Sequence, residues 1–182
     1  DGTLQSEGNY VDGKKDGLWT SYFPSGKMSS KGSYLNDEQV GNWEYFFEDG
    51  TVSATGGFEK GRKEGYWKAF SSTGKLKSEV TLDKTGADDY VEYHESGKIK
   101  VKGRIVDHKR QVKREFYYQD GKREGICEYD KGKGTYYGYY PEGNLQTKGA
   151  LEDDLKVGTW EIYEIDGKLS GYYRPFYDNR KL

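Results

Sequence analysis

Few side chains in this sequence are equipped for catalysis, and their placement narrows its chemistry. Histidine occurs only at His94 and His108, and cysteine only at Cys127. A catalytic nucleophile needs a base within hydrogen-bond reach and a third group orienting that base. His94-Glu95-Ser96 falls at an expected hairpin turn, where a histidine reads as a solvated turn residue. Cys127 falls in an apolar column with Tyr10, Tyr34 and Phe58 and reads as a small filler. A single cysteine also excludes an intrachain disulfide framework and any multi-cysteine zinc site. Acidic residues gather at Asp12 and Asp16, Asp37 and Glu38, Asp88 and Asp89, and Asp153 and Asp154. Calcium loops need several oxygen ligands in a set register. Here Lys14, Lys15, Arg62 and Lys156 interrupt the carboxylates, so charged, solvated turns are the simpler reading. No glycine-rich stretch follows a strand and opens a helix, so no phosphate-binding loop is expected. The sequence points to no catalytic residue, no metal and no cofactor.

Two other patterns suit binding. Aromatic residues stand at Tyr22, Phe46, Phe70, Tyr93, Tyr117, Tyr139 and Tyr163, each three positions after another, mostly aromatic, column. In a strand that spacing puts the two columns on opposite faces. The second column's face is otherwise polar, with Thr20, Lys31, Glu44, Lys68 and Lys148. A row of rings there suits an extended peptide or sugar chain, or stiffens a thin sheet by cross-strand contact. The other pattern is basic: Lys98, Lys100, Lys102 and Arg104 alternate with Ile99, Val101, Gly103 and Ile105, and Lys109, Arg110, Lys113 and Arg114 follow. Alternation would place the first four cations on the ring face as solvated side chains, with Asp107 and Glu115 as the few nearby acids. Such a patch suits an acidic protein, an anionic lipid or a polyanion, and a solvated charged face is the plainer alternative. The candidate partner-binding residues are therefore Tyr22, Phe46, Phe70, Tyr93, Lys100, Lys102, Arg104, Tyr117, Tyr139 and Tyr163.

A repeat must position these residues. The frame Gly17, Trp19, Tyr22, Gly26, Gly32, Tyr34 returns as Gly41, Trp43, Phe46, Gly50, Gly56, Phe58, and again as Gly65, Trp67, Phe70, Gly74, with Val80 and Leu82 closing that unit. Later copies depart from it, with Tyr90, Arg114 and Tyr136 at the Trp position, and Trp160 restores it. Units of 22–24 residues divide the 182-residue chain as 1–7 (partial), 8–31, 32–55, 56–79, 80–102, 103–124, 125–148, 149–170 and 171–182. Asp1-Gly2-Thr3-Leu4 matches Asp49-Gly50-Thr51-Val52, so the sequence opens inside a turn. The expectation is a piece of a longer array, with any targeting segment upstream.

Each unit reads as two short strands around a turn such as Pro24-Ser25-Gly26-Lys27. Simple pairing sets Phe23 opposite Met28, Ser21 opposite Ser30 and Trp19 opposite Gly32. It also sets Trp43 opposite Tyr34 and puts Met28, Val52, Leu76, Ile99, Leu145 and Leu169 on the Trp face. The glycines at 32, 56, 103 and 149 would leave room for neighbouring rings. The expected fold is all-β: an elongated single-layer antiparallel meander of hairpins, twisted and curved so that its Trp face is the better buried. Composition agrees: 29 aromatics and a net charge of −2 argue against disorder despite 33% charged residues. No apolar run approaches a membrane span, and the near-neutral charge makes nucleic acid an unfavoured partner.

Tyr10-Val11-Asp12-Gly13-Lys14-Lys15-Asp16-Gly17-x-Trp19-x-x-Tyr22-x-x-x-Gly26-Lys27 resembles the bacterial variant of the MORN repeat. Phe58 to Trp67 matches equally well, and Tyr118 to Gly125 repeats the turn. The resemblance implies a hairpin array acting as an interaction scaffold or lipid-associated module, and such proteins are often described as antitoxins. Function is accordingly expected to be non-catalytic protein binding, antitoxin- or immunity-like or within a larger bacterial surface protein. The alternatives are glycan or cell-wall binding through the rings and anionic-lipid association through the basic patch. The apolar face also offers a route to self-association.

Overall fold

The computed structural model describes residues 2–107 and 110–176, so His108 and Lys109 of the basic run lie outside the described residues. The chain divides into two compact units, Asp1–Lys84 and Thr85–Leu182. The first holds β1 (Ser6–Val11), β2 (Lys14–Tyr22), β3 (Met28–Leu35), β4 (Glu38–Phe46), β5 (Val52–Glu59), β6 (Arg62–Phe70) and β7 (Leu76–Leu82). The second holds β8 (Asp88–Tyr93), β9 (Ile99–Val106), β10 (Arg110–Tyr117), β11 (Arg123–Asp130), β12 (Lys133–Tyr139), β13 (Leu145–Glu152), β14 (Leu155–Tyr163) and β15 (Leu169–Tyr173). Within each unit the strands lie side by side in sequence order, a single-layer antiparallel meander. Among the described residues there is no helix.

Two kinds of turn alternate. Inside each hairpin, the Phe23 N–H donates to Lys27 O (2.8 Å) and the Gly26 N–H to Phe23 O (2.9 Å), and the pattern recurs at Phe47, Ser71, His94, Tyr118, Tyr140 and Glu164. Gly26, at φ 79°, supplies the left-handed residue that closes this three-residue loop. Between neighbouring hairpins within each unit, two-residue turns such as Asp12-Gly13, Lys60-Gly61 and Lys131-Gly132 carry positive φ at both central positions. Asp37 (φ 70°) and Asp154 (φ 64°) fill the second position instead of glycine, which aspartate tolerates better than most residues.

The pairing of Ser21 with Ser30 and Trp19 with Gly32 is as expected, but a register shift follows Ser21, and Tyr22 rather than Phe23 faces Met28. The same shift sets Phe46 opposite Val52, Phe70 opposite Leu76, Tyr93 opposite Ile99, Tyr139 opposite Leu145 and Tyr163 opposite Leu169. Directly opposed residues share a face, so the aliphatic column joins the second aromatic column, not the Trp face. One residue of the returning strand, such as Ser29 or Lys100, is skipped in the pairing, and this bulge reverses the expected alternation.

The Trp face is the better buried: Trp19, Trp43, Trp67 and Trp160 expose 4%, 4%, 6% and 0%, whereas all seven rings of the second column are half-buried. Tyr34 stands edge-on between Trp19 and Trp43, and Phe58 between Trp43 and Trp67. Tyr34 faces Gln39 in register rather than Trp43, because a second shift beside Gly32 offsets β3 against β4. Three Trp rings are also roofed by lysines four residues earlier: Lys15, Lys63 and Lys156 place Nζ 4.3, 4.1 and 5.1 Å from the ring centroids of Trp19, Trp67 and Trp160. With no helix to cover this face, lysine stems and their cation–π contacts shelter it.

Candidate binding surface

The second column's face is organised by carboxylates. Tyr22 donates to Glu7, Tyr117 to Glu115 Oε2 (2.6 Å) and Tyr163 to Glu161 Oε2 (2.6 Å). These hydrogen bonds to carboxylates hold the Tyr22 and Tyr163 hydroxyls above their ordinary pKa. The rings are therefore fixed in orientation rather than free to sweep the surface.

In the C-terminal unit the residues after Tyr93, Tyr117 and Tyr139 form a second set of ties. Tyr118 donates to Tyr139 O (2.6 Å), Tyr140 to Tyr163 O (2.8 Å), and His94 Nε2 lies 2.8 Å from Tyr117 O. A carbonyl only accepts, so the His94 Nε2 carries the hydrogen. His94 is thus half-buried and bonded across to the neighbouring hairpin, a correction to its reading as a solvated turn residue. Sequence reasoning treated it alone, although Tyr118 and Tyr140 occupy the same place in their units.

The basic run is largely neutralised within the sheet. Glu115, 6% exposed, takes Lys102 at 2.8 Å and Lys113 at 2.9 Å. Burial alone would push its carboxyl up, but hydrogen bonds from Lys102, Tyr117 and Lys113 outweigh that and hold it at about 2. Arg104 reaches Asp89 through Nε and Nη2 at 2.7 and 2.6 Å. The expectation that few acids oppose these cations is corrected, because register brings Asp89 opposite Arg104 and Glu115 opposite Lys102. Strict alternation also fails at Lys100, which falls in the register shift between the Tyr93–Ile99 and Glu92–Val101 pairs. Lys100 is exposed, and no ion pair reaches it among the described residues.

Two rings of the column line one open cleft. Tyr117 and Tyr139 line a space of about 560 Å³ with Lys122, Arg123, Pro141, Glu142 and Gly143. Arg123 faces Tyr117 directly across the β10–β11 pair, so their side chains share the face. A smaller groove of about 400 Å³ runs past Val91 between Asp89, Lys102, Arg104, Lys113 and Glu115. Tyr22, Phe46 and Phe70 lie on the corresponding face of the N-terminal unit, which carries its own groove of about 360 Å³ lined in part by Leu18, Asn42, Thr55 and Tyr66.

Sequence reasoning missed a polar network on the Trp face. Arg114, in the Trp column, lies opposite both Gly103 and Cys127. Its guanidinium sits 5.1 Å from the Phe116 ring and 3.7 Å from Asp154 Oδ1, an oxygen that also accepts from Tyr129 at 2.6 Å. Cys127 proves wholly buried and occupies the glycine register, opposite Tyr136, rather than the Tyr34 column. Burial pushes its thiol pKa up, which suppresses the thiolate. The Arg114 substitution was the only visible signal; its partners come from distant turns and strands. Among the described residues no three His, Cys, Asp or Glu side chains converge as a metal site would require.

The MORN repeat variant family matches residues 15–36 and 63–84. No curated protein matches the chain. Among solved structures it is similar to a chain titled "Crystal structure of GtfA/B complex bound to UDP and GlcNAc", at 9% identity and a TM-score of 0.27. That match covers 84% of this chain and 24% of the other, so the chain spans about a quarter of its length, and the likeness is too slight to bear on function. Two hairpins of the array, β2 with β3 and β6 with β7, thus carry the likeness to the MORN repeat variant.

Proposed function

We propose that the chain is a non-catalytic binding array whose partner is a protein, contacted through the face that carries the second aromatic column. The observation that carries this reading is the cleft between Tyr117 and Tyr139, with Tyr117 pinned by Glu115. The Trp rings, by contrast, are spent on packing against glycines and lysines. Rigid amphipathic rings lose little entropy on binding, which favours them at protein interfaces. The two residues best suited to covalent chemistry support the non-catalytic part: His94 holds a backbone carbonyl and Cys127 is buried. Repeats of this family commonly serve as binding modules. An antitoxin- or immunity-like role, or a place in a larger surface protein, is a finer form of the same reading.

The test compares the parent with a Tyr117→Ala, Tyr139→Ala double variant. Captured proteins would be identified by mass spectrometry, beside a glycan array and flotation with anionic liposomes. A protein captured by the parent and lost at least tenfold in the variant, at unchanged circular dichroism, is the expected result. Ring-dependent glycan binding, or flotation with no ring-dependent protein, would overturn it.

A further inference from the structure

The cations that the sequence singles out are mostly occupied, and that shifts attention one hairpin further on. Lys102 and Lys113 share Glu115, and Arg104 grips Asp89. Arg123 differs. It is exposed, it lines the Tyr117–Tyr139 cleft, and among the described residues no carboxylate comes within ion-pair reach of it. Lys122 beside it is held only loosely by Asp120, at 3.7 Å. A guanidinium offers a planar fork of donors that matches a carboxylate. Here it stands directly across the strand pair from a fixed tyrosine ring. Glu142, whose carboxylate can only accept hydrogen bonds, lines the same cleft beside Pro141 and Gly143.

We propose that this cleft takes an extended peptide segment of the partner carrying an acidic side chain next to an aromatic one, the carboxylate on Arg123 and the apolar group between Tyr117 and Tyr139. A main-chain N–H of the same segment finds its acceptor in Glu142. This rests on the protein-binding reading and names the chemistry that its contact face selects. The cleft is open, so the ion pair is partly solvated and sets selectivity more than strength, weakening as salt screens it.

The probe is a blocked pentapeptide, acetyl-Gly-Glu-Tyr-Pro-Gly-amide, set against its Gln-for-Glu counterpart and titrated into the ¹⁵N-labelled chain. The expected result is chemical-shift change at Tyr117, Arg123, Tyr139 and Gly143, with the Glu peptide binding about five- to tenfold tighter. Arg123→Gln, at an exposed position, is expected to bring the two peptides to equal affinity while leaving the spectrum folded. Equal binding of both peptides to the parent in this cleft would overturn the acidic preference and leave the aromatic face standing. Shifts confined to other residues, or none with either peptide, would overturn the proposal, and the tyrosine double variant then judges the face independently.

Discussion

The indole of Trp43 occupies the space that a side chain on Gly32 would need: a Cβ built there lies 2.2 Å from Trp43 Cδ2. The same relation joins Gly8 to Trp19, Gly56 to Trp67 and Gly149 to Trp160, at 2.3, 2.0 and 2.1 Å. Each ring therefore lies over a glycine of the preceding strand. Trp43 faces Gly56 in register, but the space above Gly56 belongs to Trp67. Gly32, Gly56 and Gly149 are the residues skipped by the register shift on that side, where the backbone is bent and a ring approaches closely.

Gly32→Ala should consequently cost about 1–3 kcal/mol, because the added methyl must displace the fused part of an indole that has nowhere to go. Gly171→Ala is the matched control, since a Cβ there meets nothing within 4 Å. It is expected to stay within about 0.5 kcal/mol of the parent. Urea denaturation of the two variants checks both, and equal stability would refute the ring-over-glycine packing.

Lys63 gives the second prediction. Its Nζ lies 4.1 Å from the Trp67 ring centroid, and its stem covers an otherwise open face. Lys63→Met keeps most of the stem and removes the charge, so it should cost about 0.5–1 kcal/mol. Lys63→Ala also uncovers the ring and should raise acrylamide quenching of tryptophan fluorescence, which the Met variant leaves nearly unchanged. Identical quenching in both would mean that the stem is not a roof.

Much of this architecture was legible because the repeat writes it several times over. The Trp and glycine columns, the two turn types and the all-β class follow from spacing alone. What escaped the sequence was the effect of one extra residue per hairpin. An unpaired strand residue such as Ser29 shifts register beside Tyr22, and Met28 and its equivalents change face. Pattern matching assumes strict alternation and does not register such a bulge. The candidate surface divides similarly. The rings were recognisable as a column, but the acids that pin them and neutralise Lys102 and Arg104 depend on which strand lies opposite. The Arg114–Asp154–Tyr129 network was hidden for the same reason, since its members share no spacing.

The third prediction concerns the ties between hairpins. Where His94 meets Tyr117 O, the following hairpins use Tyr118 and Tyr140 on the equivalent carbonyls. His94→Phe removes the donor and should cost about 1 kcal/mol, whereas His94→Tyr supplies the hydroxyl the array uses elsewhere and should be close to neutral. Thermal denaturation distinguishes them. A Phe variant as stable as the Tyr variant would show that the tie contributes only packing.

Glu115 makes stability depend on pH. Its carboxyl titrates at about 2 in the fold, below the roughly 4.3 of an unfolded chain. A depressed carboxylate stabilises the fold above the unfolded value, and that contribution is lost as pH falls through the folded one. The parent should lose about 2–3 kcal/mol from this group between about pH 4.5 and 2, and Glu115→Gln should flatten the profile over that window. The same network reverses an expectation for the basic strand. Lys102 reads in the sequence as a solvated side chain whose replacement leaves stability nearly unchanged. In the fold, Lys102→Glu sets a carboxylate against the buried Glu115 in place of a 2.8 Å ion pair and should destabilise by about 2–4 kcal/mol. Lys100→Glu, where no ion pair is broken, should change stability by less than about 0.5 kcal/mol. Melting curves of the two single variants at pH 7 decide the matter: equal curves would mean that Glu115 is not held by Lys102, and any loss of partner binding in Lys102→Glu must be read against its lost stability.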